Sequence, residues 1–186
     1  DTRLTIAPPF YVCQCDIMGP FVAHCEHSHR STVKIWVVVF KCVVTCSVAG
    51  YVMQAYSTPS VVQAYTRFGT RYGHPALILI DLGTQLVSAC GNMQINIMDL
   101  AKNLSVKYQV GLQHATCPAR AHNYNGMVER SIREIKRLFF KVFSGLKMDM
   151  LTWETNLSWV CNELNNMPMC LGSKTKDFGN LELITP

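Results

Sequence analysis

Residues 33–53 read VKIWVVVFKCVVTCSVAGYVM, and this apolar run decides between two kinds of fold. The run is long enough to cross a bilayer. However, Lys34 and Lys41 interrupt it, and Lys41 would lie near the middle of the membrane, where a charge is costly. Valine, isoleucine, threonine and aromatic residues dominate the run, and these residues favour strands. The run therefore predicts two adjacent buried strands, at 33–42 and 46–54, and no membrane span.

Strand-like segments also lie on both sides of this run. Upstream, FYVCQCD at 10–16 predicts a first strand, which Gly19 and Pro20 are expected to end. A polar, histidine-rich loop is then expected over residues 21–31. Downstream, the short apolar segment ALILID at 76–81 predicts a further strand.

Helical patterns alternate with strands in the second half of the chain. A helix is predicted at 58–73, where Thr58 can cap, Pro59 suits the first turn and Gly73 can end the helix. Further patterns predict a helix at 93–104 and a strand at 106–112. Two final helices are predicted from the apolar periodicity, at 127–143 and 151–166.

The order of these elements indicates the fold class. Three strands come first and pair as antiparallel neighbours, and strands then alternate with helices. This order predicts an α/β domain with a mixed five-stranded sheet flanked by helices. We expect one domain across residues 1–186, with a polar, irregular tail at about 172–186.

Composition and charge narrow the function only slightly. The chain has 186 residues, 49% of them apolar, which is typical of a globular domain with a real core. The net charge of +5 is compatible with a nucleic-acid partner, although many soluble proteins share it. The first residues are polar and contain proline, so no secretory signal is expected there.

The nine cysteines include no Cys-x-x-Cys pair. Reduced, mostly buried thiols are the favoured interpretation, against a disulfide framework or a cysteine zinc site. His24, Cys25, His27 and His29 crowd one segment, and such a cluster can bind zinc. A plain polar loop is the simpler interpretation of the same residues.

Three of the twelve acidic residues lie where a catalytic site could form. Asp16 and Asp81 each end a predicted strand, and α/β folds build their sites at the carboxyl ends of strands. Glu129 lies near the start of the basic helix. Hard cations such as Mg²⁺ prefer oxygen ligands, and two ions roughly 3.5–4 Å apart can assist phosphodiester displacement. For each acid alone, a cap, turn or surface role is the alternative.

The basic helix MVERSIREIKRLFFKVF places two cations in line with Glu129. Arg133 and Lys136 follow it at i+4 and i+7, on the same helical face. A second, apolar stripe comprises Ile132, Ile135, Phe139 and Val142. Arginine and lysine supply most non-specific affinity for DNA phosphates. The alternative is a solvated face with a Glu–Arg pair worth only a few tenths of a kcal/mol.

The segment before this helix predicts a loop beside the site. Tyr124, Asn125 and Gly126 form its flexible part, and loops in such positions commonly contact substrate. His122 or Tyr124 could touch DNA, or either could be an exposed loop residue.

Several segments together resemble the catalytic core of retroviral and retrotransposon integrases, most closely those of BEL/Pao-type retrotransposons. The segments are CDIMGPF around Asp16, ILIDLGTQLVSA around Asp81, CPARAHNYNGMVERSIREIK around Glu129, and the closing CNELNNMPM and LELITP. Their order covers nearly the whole chain. Sixty-four residues separate Asp16 from Asp81 and 47 separate Asp81 from Glu129, a spacing compatible with the retrotransposon type.

The resemblance implies a ribonuclease H-like fold and a polynucleotidyl transferase. Asp16, Asp81 and Glu129 would be the catalytic triad and would bind Mg²⁺ or Mn²⁺, as two ions. The activity would be 3′-end processing and strand transfer of retrotransposon DNA into target DNA, in the nucleus. Such cores usually form homodimers or higher assemblies. The residues expected to contact DNA are Arg133, Lys136, Tyr124, Asn125 and Gln85.

Two positions depart from the family pattern. Leu82 stands after Asp81 where the family usually has asparagine, and Gln85 also replaces a usual asparagine. A polar side chain that often supports the site is therefore missing. Two alternatives stay open: an inactive or domesticated core that acts as a DNA-binding or assembly module, and another ribonuclease H-like nuclease.

Overall fold

The computed structural model describes residues 8–25, 28–80, 88, 113–116, 126–168, 170–173 and 181–186. Its first elements are strands β1 (Val12–Cys25), β2 (Ser28–Cys42) and β3 (Val48–Met53), helix α1 (Thr58–Tyr72) and strand β4 (Leu77–Ile80). They are followed by strand β5 (Gln113–Thr116), helices α2 (Gly126–Phe143) and α3 (Met150–Asn166), and strands β6 (Cys170–Ser173) and β7 (Leu181–Ile184).

A mixed sheet in the order β3-β2-β1-β4-β5 forms the centre of the described structure. Strand β2 pairs antiparallel with both β1 and β3, whereas β4 runs parallel to β1 and to β5. The predicted mixed α/β architecture is confirmed. The apolar run at 33–53 forms β2 and β3, as predicted, with a turn at 43–45 between them. No helix in the described part of the chain is long and apolar enough to cross a membrane.

Strand β1 is much longer than the sequence predicted. Gly19 and Pro20 do not end it, and the strand continues to Cys25. The pairing with β2 shifts register between Met18 and Phe21, and this irregularity accommodates Gly19 and Pro20 within the strand. Gly19 has a φ of +132°, a conformation that a residue with a Cβ rarely adopts. The prediction of a loop over 21–31 is therefore wrong for residues 21–25 and 28–31, which belong to β1 and β2.

The predictions for the later elements had mixed outcomes. Helices α1, α2 and α3 lie where the periodicity predicted them, although Ser57 rather than Thr58 occupies the N-cap position of α1. The tail was predicted to be irregular, but residues 172–173 belong to β6 and residues 181–184 form β7, and these two strands pair antiparallel in a two-stranded sheet. The helix predicted at 93–104 and the strand predicted at 106–112 lie outside the described residues.

Apolar side chains cover both faces of the central sheet. On one face, Phe40 of β2 stacks on Phe68 of α1, with ring centroids 4.2 Å apart. On the other face, α2 and α3 contribute Phe139 and Trp153, whose stacked rings lie 4.3 Å apart. The alternation of side chains along the strands separates the two layers, apart from the register shift in β1. The candidate site described below lies on the side of the sheet that α2 and α3 cover.

The edge strand β3 is held by side chains from the flanking helices. Asn165 of α3 accepts a hydrogen bond from the N–H of Val48 at 2.7 Å and donates one to the carbonyl of Val48 at 2.9 Å. Arg67 of α1 donates to the carbonyl of Val52 at 2.6 Å and also forms a salt bridge with Glu154 of α3. These contacts satisfy backbone groups that an open sheet edge would leave unpaired.

Six of the cysteines in the described part of the chain carry free thiols. Four of them are buried: Cys13, Cys15, Cys42 and Cys161. Burial raises the pKa of the Cys161 thiol to about 12, so the neutral form is retained. For these cysteines the prediction of reduced, buried thiols is confirmed.

The contact between Leu157 and Gly50 gives a test of the packing of α3. Leu157 is fully buried, and a Cβ at position 50 would lie 3.1 Å from its methyl carbon, which is a tighter contact than most Cβ atoms make. We expect Leu157→Ala to lower the free energy of unfolding by about 2–5 kcal/mol, measured by urea denaturation. The control is Leu151→Ala on the same helix, at a side chain that is 69% exposed. It should change stability by less than about 0.5 kcal/mol, and equal losses for the two variants would contradict this packing.

Candidate functional site

Asp16 lies in the middle of the sheet, on the strand that contacts both β2 and β4. It pairs with Val39 of β2, and its side chain is half-buried. One carboxylate oxygen accepts a hydrogen bond from the N–H of Ile17 at 2.7 Å. Because strand side chains alternate between faces, Asp16 shares a face with Gln14 and Met18. Met18 packs in the layer formed with α2 and α3, so the carboxylate belongs to that side of the sheet.

The parallel pairing of β1 and β4 places the end of β4 beside β1, next to Asp16. Cys15 pairs with Ile80, the last residue of β4. The end of β4 therefore lies beside the residue that precedes Asp16. Asp81 follows Ile80 in sequence and lies outside the described residues.

The third acid-bearing segment is joined to β1 by a buried hydrogen bond. The N–H of Val128 in α2 donates to the side-chain oxygen of Gln14 at 3.0 Å, across 114 residues of sequence. The first N–H groups of a helix have no partner within the helix, so Gln14 fills one of these vacancies. Glu129 is the next residue, and its side chain is exposed. The strand that carries Asp16 thus fixes the start of the helix that carries Glu129.

Gln14 is a residue of the candidate site that the sequence analysis did not single out. Its side chain is only 5% exposed, in a strand between the buried Cys13 and Cys15. A buried polar side chain nearly always has a hydrogen-bond partner, so a lone glutamine in an apolar strand was the available signal. The sequence could not name that partner, because it lies in a helix more than a hundred residues away.

The exposed face of α2 agrees with the prediction, and its apolar stripe agrees in part. Glu129, Arg133 and Lys136 are all exposed. The predicted apolar side chains Ile132, Ile135 and Phe139 are buried. Val142, predicted to continue this stripe, is 50% exposed. At this turn of α2 the contact with α3 is made by Phe143 instead, whose ring centroid lies 5.9 Å from that of Trp159.

Two charged groups of α2 have nearby partners. Arg137 forms a salt bridge with Glu134 at 2.9 Å, which neutralises one acid of the helix. The ammonium group of Lys136 lies 6.0 Å from the centre of the Phe21 ring, at the outer limit of a cation–π contact. The other residues predicted to contact DNA, Tyr124, Asn125 and Gln85, lie outside the described residues.

A cavity of about 370 Å³ adjoins the start of α2. Lys41 and Arg130 are its basic lining residues, and Lys41 is the β2 partner of Gln14. Burial lowers the pKa of Lys41, and the nearby Arg130 acts in the same direction. The ammonium group of Lys41 donates a hydrogen bond to the carbonyl of Cys46, so the cavity carries cationic groups beside the strand of Asp16.

Within the described ranges, no group of three or more histidine, cysteine, aspartate or glutamate side chains is placed to hold a metal ion. This finding does not test the predicted triad, because Asp81 is outside those ranges. His24 and Cys25 lie in β1 rather than in a loop, and the N–H of His24 donates to the carbonyl of Met148 at 2.8 Å. His27 and the side chain of His29 are outside the description, so the predicted cluster stays untested.

Comparison with solved structures gives the fold a precedent. A chain of the simian T-cell lymphotropic virus intasome, solved in complex with the PP2A regulatory subunit B56 gamma, matches 90% of this chain with a TM-score of 0.60 and 16% identity. The fold is similar to that of retroviral integrase catalytic cores. The HTLV-2 integrase catalytic core domain in complex with magnesium matches 90% of this chain and 93% of its own, with a TM-score of 0.56 and 17% identity.

A trimeric form of the HTLV-2 core matches 88% of this chain, with a TM-score of 0.56 and 15% identity. This chain spans about half (51%) of the intasome chain that it matches. No family model matches the sequence, and neither does any curated protein. The likeness to integrase cores is therefore one of fold.

Replacing Gln14 tests the connection between β1 and α2. In Gln14→Leu, the N–H of Val128 loses its acceptor in a buried position. We expect a loss of about 1–3 kcal/mol in the free energy of unfolding and faster hydrogen exchange at the amide of Val128. Both are measurable, by urea denaturation and by amide exchange.

The control is Gln63→Leu, at an exposed position of α1, which should leave both quantities unchanged. If exchange at Val128 did not change in Gln14→Leu, this hydrogen bond would not fix the start of α2.

Proposed function

We propose that this chain is the catalytic core of an integrase with a ribonuclease H-like fold, from a retrotransposon of the BEL/Pao type. Its activity is metal-dependent 3′-end processing and strand transfer of retrotransposon DNA into target DNA. The hydrogen bond between Gln14 and Val128 carries the proposal, because it links the strand of Asp16 to the helix of Glu129. The similarity in fold to retroviral integrase cores supports the same conclusion.

Asp16, Asp81 and Glu129 are the proposed ligands of two Mg²⁺ or Mn²⁺ ions. Carboxylate oxygens are the donors that these hard cations prefer, and the half-buried Asp16 and exposed Glu129 provide both a fixed and an accessible oxygen. The HTLV-2 core, which has a similar fold, is a complex with magnesium. When bound, the metal ions would activate the attacking oxygen and stabilise the leaving one.

The protein's own groups position the reactants. The N–H of Ile17 orients the Asp16 carboxylate, and the first turn of α2, held by Gln14, fixes the backbone of Glu129. Arg133 and Lys136 would hold phosphates next to the site, because they follow Glu129 on the same face of α2. Tyr124, Asn125 and Gln85 are proposed as further contacts to DNA.

The proposed partners are the DNA ends of the retrotransposon, the target DNA and a second copy of the chain. The solved chain with a similar fold from the simian T-cell lymphotropic virus belongs to an intasome. Activity on chromosomal DNA would take place in the nucleus.

Strand transfer tests the triad directly. With labelled DNA ends, target DNA and Mg²⁺ or Mn²⁺, we expect joined products from the wild-type chain. Groups that merely support metal ligands are worth about 10–100-fold in metal affinity or activity, so Asp16→Asn, Asp81→Asn and Glu129→Gln should each lower the rate by about 100-fold or more.

The matched control is Glu163→Gln, at an exposed acid of α3, which should retain the wild-type rate. Full activity of Asp81→Asn would show that the triad assignment is wrong. Cleavage of RNA in hybrids without DNA joining would favour another nuclease. DNA binding without metal binding would favour an inactive core, the alternative that Leu82 motivates.

The role of Arg133 and Lys136 can be read from the salt dependence of DNA binding. Each lysine or arginine that neutralises one phosphate contributes about one unit to the slope of log K against log salt. We therefore expect Arg133→Ala and Lys136→Ala each to weaken DNA binding and to reduce the slope by about 1. Lys147→Ala, at an exposed lysine beyond the end of α2, is the control. A slope that stays the same in both α2 variants would show that this face does not contact phosphates.

A further inference from the structure

An exposed aromatic side chain continues the face of α2 that carries Glu129. Glu129, Arg133, Lys136 and Phe140 recur at intervals of four, three and four residues, so they lie within an arc of about 60° on the helix. We call these four residues the α2 stripe. All four are exposed, and the ring of Phe140 is 46% exposed. The core therefore does not account for the phenylalanine at this position.

Phe140 lies at the open end of a series of aromatic rings. Phe139 stacks on Trp153 at 4.3 Å, and Trp153 stacks on Phe21 at 5.1 Å. Phe21 in turn lies 5.9 Å from Phe140, between ring centroids. The indole N–H of Trp153 donates to the carbonyl of Val22 at 3.2 Å, which ties the series to β1. Phe140 is thus supported from below by a fixed aromatic layer and is open on its outer side.

The charges of α2 favour the binding of a polyanion to this surface. The helix carries five cations against two acids, and one of those acids, Glu134, is already paired with Arg137. In the α2 stripe, Arg133 and Lys136 separate Glu129 from Phe140. Eleven residues of helix span about 16 Å, which corresponds to about five base-pair steps of 3.4 Å along the axis of a DNA duplex.

We propose that Phe140 is a stacking platform for an unpaired base of the DNA strand, about five nucleotides from the reacting phosphodiester. The position of that phosphodiester rests on the function proposed above. In this arrangement Arg133 and Lys136 contact the intervening phosphates and the base extends the ring series that ends at Phe140. Because phenylalanine has no hydrogen-bonding group, the contact accepts any base.

The proposal is tested by comparing two DNA duplexes of the same length that differ only in pairing. One is fully paired, and the other has a short run of mismatches centred about five nucleotides from the reactive 3′ end. Binding of the full chain is measured by fluorescence anisotropy. Stacking on one aromatic ring is worth about 5- to 150-fold in affinity. We expect Phe140→Ala to lose affinity by this factor for the mismatched duplex and to bind the paired duplex normally.

Three further variants define the readout. Phe140→Trp should retain the preference for mismatched DNA. Val142→Ala removes an equally exposed apolar side chain from another face of the same helix and should have no effect. Arg133→Ala should weaken binding to both duplexes alike, because phosphates are present in both.

Equal effects of Phe140→Ala on both duplexes, or no effect on either, would overturn the proposal. A change in sedimentation of the DNA-free protein in Phe140→Ala would also overturn it, since Phe140 would then contact a second copy of the chain. The measurement does not require catalysis. If the chain shows no strand transfer but still prefers mismatched DNA in a way that depends on Phe140, the proposed activity is refuted. The proposed stacking role of Phe140 is then retained.

Discussion

The hydrogen bond from the N–H of Val128 to Gln14 is the constraint on which the rest of the site depends. The first N–H groups of a helix need acceptors from outside the helix, and a buried glutamine side chain needs a hydrogen-bond partner. The bond therefore offsets the desolvation cost of burying both the N–H of Val128 and the side chain of Gln14. The bond is buried, which makes its loss expensive and its geometry specific. It sets where α2 begins relative to β1, and every residue of the α2 stripe takes its position from that start.

Strand β1 connects the features that the fold brings together. It pairs with β2 on one side and β4 on the other, and its residues alternate between the α1 layer and the α2–α3 layer. Because it passes through Gly19 without ending, it also carries Phe21 to the rings of Trp153 and Phe140. One continuous strand thus positions Gln14, Asp16 and Phe21 on the side of the sheet that faces α2.

Helix α2 has a buried apolar face and an exposed charged face. Ile132, Ile135 and Phe139 bury one face against the sheet and α3, and this apolar burial holds the helix in place. The exposed side of the helix then presents charge to solvent without the desolvation cost that a buried cation would incur. The amphipathic pattern therefore serves stability and function together, since the side chains that fix the helix also decide which way its cations point.

The sequence by itself determined the mixed α/β class, the three described helices and the strand character of residues 33–53, because hydrophobic periodicity is a local property. It also indicated the exposed cationic face of α2. Only the tertiary structure decided that β1 passes Gly19, that β6 pairs with β7, and that Val142 is exposed, because each outcome depends on which neighbour pairs with or covers the residue. The partnership of Gln14 with Val128 belongs to the same group. It joins residues 114 positions apart, and no local pattern encodes a contact over that separation.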